Sequence, residues 1–172
     1  TITGVRRSVW MQQPNTNNNL AKLTINNGTL IGDITVGADT FDVVVKGGAF
    51  TDLTNALAYA ADNAVIKFAS DITGDVTIAQ KEGVNITLDG NGKTFNGVMT
   101  VFGDGRQNGA ETLTIQNIHF VAKEGADSCI VSPDRALNNK YSYAHNVTVK
   151  NCTFTDPDGV VGCAAIRHED GG

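Results

Sequence analysis

Positive charge is scarce in this 172-residue chain. Lys and Arg number 13 against 18 Asp and Glu, charged residues make up 18%, and the formal net charge is −5. Only Arg6 and Arg7 adjoin, so the sequence holds no basic stripe of the kind a nucleic-acid surface needs, and nucleic acid is excluded as a partner. Cysteine is rare as well. Cys129, Cys152 and Cys163 are an odd set, which cannot form a fully paired intrachain framework. They show no C-x-x-C spacing, which argues against a zinc or redox centre and for thiols packed as small hydrophobes. No metal site and no cofactor is expected from spaced motifs. No apolar run approaches the ~20 residues of a membrane span. The chain opens on Thr1, with no Met and no signal peptide, as expected of a processed protein or an excised segment.

What is present is a 41% hydrophobic content, ordinary for a folded chain, with a polar share carried by Asn, Thr, Gly and Asp. Those residues suit turns and the solvent faces of strands. One pattern recurs: apolar-Thr-apolar-x-Asn-x-x-apolar. It reads Leu23-Thr24-Ile25-Asn26-Asn27-Gly28-Thr29-Leu30, then Leu113-Thr114-Ile115-Gln116-Asn117-Ile118-His119-Phe120, then Val147-Thr148-Val149-Lys150-Asn151-Cys152-Thr153-Phe154. A variant begins at Ile86-Thr87-Leu88-Asp89-Gly90. Alternation puts the first and third residues on one face. The Asn marks a bend, because it tolerates the left-handed conformation. One such unit cannot bury its own face, whereas stacked units can. The starts at 86, 113 and 147 lie 27 and 34 residues apart, which fits a solenoid rung with variable loops.

Shorter strands are expected at 43–45, 65–68, 76–78, 98–102 and 162–166, with loops at 103–111, 123–128, 133–145 and 155–160. A helix is expected over 52–61, with Thr51 or Asp52 as N-cap and Leu53, Ala56, Leu57, Ala60 and Ala61 on one face. Such a helix would cover the open end of a solenoid core.

The helix, the strand Ala64-Val65-Ile66-Lys67-Phe68 and the run Asn85-Ile86-Thr87-Leu88-Asp89-Gly90-Asn91-Gly92 together resemble the start of pectin-lyase-like right-handed β-helix domains. The resemblance spans about residues 40–172 and implies an all-β, right-handed parallel β-helix with one short capping helix. Residues 1–40 form a β segment of uncertain placement, and 41–172 form the β-helix, incomplete at its C-terminal end. The chain stops soon after an apolar strand, so self-association, or a longer parent chain, is expected at the last rung. Ile2-Thr3-Gly4-Val5 is one candidate to complete that rung by folding back.

Enzymes of this family are polysaccharide lyases and hydrolases, and its lyases use Asp-bound Ca²⁺ with an Arg base. That resemblance singles out Asp104, Asp134 and Asp158, with Arg106 or Arg135 as the basic partner. The same segments, Asp104-Gly105-Arg106 and Pro133-Asp134-Arg135, read equally well as turns. Glu111 and Glu124 flank a rung and read as solvated. His119 should face solvent, His145 sits in a loop, and Arg167-His168-Glu169-Asp170 reads as a charged terminus. Trp10, Tyr141 and Tyr143 fall in expected loops. Tyr141 and Tyr143, with Arg135, are the candidates for stacking on a glycan.

Two functions follow. One is a non-catalytic extracellular module, a surface adhesin or virion fibre element that contacts polysaccharide or other glycan. The other is a fragment of a polysaccharide lyase or glycoside hydrolase, with Ca²⁺ as cofactor only in that case. The expected location is extracellular, on a cell surface or a virion.

Overall fold

A computed structural model describes residues 1–11, 21–36, 41–105, 109–133, 141–157 and 163–169. Four strands come first: β1 (Ile2–Met11), β2 (Ala21–Ile25), β3 (Thr29–Val36) and β4 (Phe41–Phe50), followed by the helix α1 (Leu53–Ala58). The chain then visits three sheets in rotation. The first circuit is β5 (Ala60–Phe68), β6 (Ile72–Thr73) and β7 (Val76–Ala79); the second is β8 (Ile86–Asp89), β9 (Thr94–Asn96) and β10 (Met99–Gly105). The third is β11 (Leu113–Gln116), β12 (His119–Val121) and β13 (Ser128–Ser132). After β14 (Tyr141–Tyr143), the fourth is β15 (Val147–Lys150), β16 (Thr153–Thr155) and β17 (Ala164–His168).

The first sheet has the order β1-β3-β4-β5-β8-β11-β15, with β2 also on β4. The second is β6-β9-β12-β16, and the third joins β7, β10, β13 and β17, with β14 on β10. Among the described residues every strand pair is parallel except β10–β14. The chain is therefore all-β with one short helix, and its parallel sheets are compatible with a β-helix-like fold.

The expected alternation sets the register. Ile86, Leu113 and Val147 lie opposite one another, as do Leu88, Ile115 and Val149. Ile86, Leu88, Leu113 and Ile115 are buried, while the Thr residues between them lie nearer solvent. The second sheet contributes Phe95, Phe120 and Phe154 in one row. With Phe68 they form a column whose successive ring centroids are 6.3, 5.6 and 4.9 Å apart. Each aromatic contact adds about 0.5–1.5 kcal/mol beyond area burial.

The corners are built by Asn and Asp. Asn91, Asn117 and Asn151 have φ of 54°, 57° and 53°, the left-handed bend expected at those positions. A corner leaves backbone N–H groups without a ladder partner, and such groups must be satisfied. Here a side chain from the preceding circuit accepts them. Asp62 accepts from the Asn85 N–H at 2.8 Å, Asp71 from Thr94 at 2.8 Å, Asp75 from Val98 at 2.9 Å and Asn85 from Thr112 at 3.0 Å. Close stacking also demands Gly97, where a Cβ would lie 2.2 Å from the Gly74 carbonyl oxygen.

Three expectations change. The helix is shorter than 52–61: Asp52 caps it by accepting from Asn55 N–H, but the Val45 N–H takes the Tyr59 carbonyl and Ala60 enters the ladder opposite Val45. Ladder pairing with β4 thus overrides the helical spacing of Ala60 and Ala61. The helix buries Leu53, Ala56 and Leu57 and packs on β5 and β7, as well as β3 and β4. Trp10 lies in β1, with the Arg7 guanidinium 4.8 Å from its ring centroid. Finally, β1 pairs with β3 at the margin of the first sheet opposite β15, so Ile2–Val5 do not complete the last circuit.

The cysteines are free, with Cys129 buried. Burial, with Cys163 beside it, pushes the Cys129 thiol up to about 12, and burial raises Cys152. Both are thiols of low reactivity, as their packing role implies.

The corner carboxylates make stability pH-dependent. Asp62 is held below the usual carboxylate range by the Asn85 backbone N–H and side chain, and Asp75 by Lys123 and the Val98 N–H. Burial opposes ionisation of Asp89, but hydrogen bonds from Asn91, Gln116 and Asn117 outweigh it. Depressed folded-state values mean that stability is present above the unfolded carboxylate value of about 3.9 and is lost as pH falls through the lower folded values. The urea midpoint is expected to hold between about pH 7 and 5 and to drop below about pH 4, with a smaller drop in Asp75→Asn. A midpoint unchanged down to pH 3 would show that the corner carboxylates contribute nothing.

Candidate functional site

Strand β14 departs from the rotation of the sheets. β13 pairs with β10 only at Met99 and Thr100, and β14 follows along the second half of β10, antiparallel, with Phe102 opposite Tyr143 and Gly105 opposite Tyr141. Tyr141 and Tyr143 therefore lie in a strand rather than the expected loop. β10 also runs to Gly105, which places Asp104 in a strand rather than a turn. Ser132 fixes the exit of β14 by accepting the Ala144 N–H at 2.9 Å.

This return brings His145 to Asp104 and Glu111. The ligand-capable atoms of the three side chains all lie within 4.8 Å of one another. Glu111 is 2% exposed, and Asp104 and His145 are half-buried. Glu111 is thus not a solvated acid. The strand register explains the meeting of two of them: counting back two residues from the pair Leu113 and Val147 puts Glu111 opposite His145. Adjacent strands are about 4.8 Å apart.

The backbone around the cluster is held by buried polar groups. Gln80, 6% exposed, accepts the His145 N–H at 2.7 Å and donates to the His145 carbonyl at 2.6 Å. Its own N–H donates to the Phe102 carbonyl, so it couples His145 to β10. Asn146, at φ 46°, donates to the carbonyls of Gly109 and Glu111 at 3.0 and 3.3 Å. A Cβ on Gly109 would fall 2.1 Å from Glu111 Oε1 and 2.8 Å from His145 Cδ2. A side chain at this position would have to displace the Glu111 carboxylate or the His145 ring.

Of the expected site residues, Asp104 is the one the structure brings into a cluster. Tyr141 and Tyr143 lie one strand away in backbone terms. Arg106, Asp134, Arg135 and Asp158 lie outside the described residues. His119 lies on the outer face of the second sheet, its two ring nitrogens 3.0 Å from the hydroxyls of Thr153 and Thr155. Arg167 pairs with Asp127 and Glu169 at 3.0 and 3.1 Å, which ties the charged terminus to the third sheet. A cavity of about 410 Å³ lies at the fourth circuit, lined by Val101, Ile130, Val147, Val149, Ile166 and His168 among others. No helix among the described residues is long and apolar enough to cross a membrane.

Comparison with family models, with curated proteins and with solved structures finds no match to this chain.

The double hydrogen bond of Gln80 is the test of how the cluster is held. Gln80→Leu keeps the volume but leaves the part-buried His145 N–H and carbonyl without that partner, a cost of about 1 kcal/mol or more. Urea unfolding should show that loss, and the His145 amide should exchange faster with solvent. Unchanged exchange at His145 would mean that Gln80 does not position it.

Proposed function

We propose that the chain is a right-handed parallel β-helix of the pectin-lyase-like kind, serving as a non-catalytic extracellular module of a surface adhesin or virion fibre. The observation that carries this reading is the register of the three parallel ladders. It places Ile on Leu and Phe on Phe through successive circuits. A low charge content and an Asn- and Thr-rich surface suit that role.

In this reading the module contacts glycan at the margin of the third sheet, where β14 is anchored on β10. Tyr141, Tyr143 and Arg135 are the residues proposed to meet the glycan in this reading, by residue type rather than by placement. Aromatic rings with a polar tip suit sugar faces, which are apolar at C–H and polar at hydroxyl. The last circuit takes a further β layer, from the same chain or another copy. Its support is the 51% exposure of Ile166 and the apolar cavity beside it.

A lyase or hydrolase reading draws on a different observation, the closeness of Asp104 to Glu111 and His145. Paired carboxylates are the machinery of glycoside hydrolysis. The burial of Glu111 disfavours direct contact with a polymer, which puts the module reading first.

One experiment separates the two. Purified protein is screened on a glycan array and, in parallel, for turnover of acidic and neutral polysaccharides with and without Ca²⁺. The module reading expects saturable binding that falls about tenfold or more in Tyr141→Ala or Tyr143→Ala, without turnover. Turnover abolished by Asp134→Ala, Arg135→Ala or Asp104→Ala would replace it with the enzyme reading.

A further inference from the structure

We infer that Asp104, Glu111 and His145 form a binding site for one divalent first-row transition-metal ion, of which Zn²⁺ is the representative. The geometry and the charge balance of the donor set point to it. The ligand-capable atoms come from three separate segments yet lie within 4.8 Å of one another. Ligands at about 2.1 Å from a tetrahedral ion stand roughly 3.4 Å apart, a distance that small side-chain rotations reach from this arrangement. Two carboxylates and a neutral imidazole also cancel the charge of a divalent ion.

The backbone of the site is set before any ion arrives. Gln80 grips both backbone groups of His145, and Asn146 ties His145's neighbour to the Gly109–Glu111 segment. Gly109 makes room where any side chain would strike the Glu111 carboxylate. Support behind the ligands is what gives metal sites their affinity.

The donor set selects the metal. Ca²⁺ takes six to eight oxygen ligands and Mg²⁺ keeps most of its water. Imidazole with carboxylates suits a Zn²⁺-like ion instead. This differs from the all-oxygen Ca²⁺ site implied by the family resemblance, and it does not depend on the glycan-binding reading. The ion would staple the exit of β14 to β10 and to the approach of β11. Its effect would be stiffening of the sheet margin that carries Tyr141 and Tyr143.

The test is calorimetric titration of chelator-stripped, full-length protein with ZnCl₂, MnCl₂ and CaCl₂, with thermal melts alongside. The expected result is one equivalent of Zn²⁺, bound more tightly than Ca²⁺, with a melting temperature that rises on saturation. Asp104→Asn and His145→Ala should each weaken Zn²⁺ binding about tenfold or more, while His168→Ala should leave it unchanged. Asp104 is half-buried and its Asn variant nearly isosteric, so that variant remains decisive if His145→Ala misfolds, with circular dichroism as the check. Absence of a one-equivalent Zn²⁺ site, a preference for Ca²⁺, or Asp104→Asn binding like wild type would each overturn the proposal.

Discussion

The constraint on which everything else depends is that the strands are too short to stand alone. Beyond residue 70 most have two to five residues, and a short strand pair is marginal in water. Each gains its hydrogen bonds from strands of other circuits. β8 is bonded to β5 on one side and β11 on the other, with partners 22 and 27 residues away. Because strand side chains alternate between faces, one residue of slip would turn Leu113 and Ile115 to solvent and Thr114 to the core. The hydrophobic alternation, the Phe column and the corner hydrogen bonds all enforce the same register, and that agreement specifies one fold.

The candidate site follows from the one place where the rotation breaks. The third and fourth circuits are separated by the excursion that returns as β14, antiparallel on β10. That return carries His145 to the level of Glu111 and sets both beside the end of β10, where Asp104 lies. The local fold therefore places polar chemistry at a sheet margin.

Much of the scaffold was legible because its signal is local. The bend at Asn117 and Asn151, the inward Phe120 and Phe154, and the Asp52 cap can all be read from a few neighbouring residues. The helix end at Ala58 could not, since it is set by Val45 reaching the Tyr59 carbonyl. The strand state of Tyr141–Tyr143 was hidden too, because its partner is β10, some 40 residues earlier. For the site, Asp104 stood out as an acid, whereas Glu111 and His145 did not. Their signal was present in the repeat: each lies two residues before the first apolar residue of its unit. Using the repeat as a register would have paired them. Nothing in the spacing would have added Asp104, which reaches the cluster through β10.

The central claim is that strands of successive circuits lie parallel and in register. It is tested most directly by nuclear Overhauser contacts in the labelled protein. The account predicts backbone contacts between Thr87 and Thr114 and between Thr114 and Thr148, in the staggered pattern of parallel strands. Close Hα–Hα contacts linking β8, β11 and β15, or contacts displaced by one residue, would contradict it.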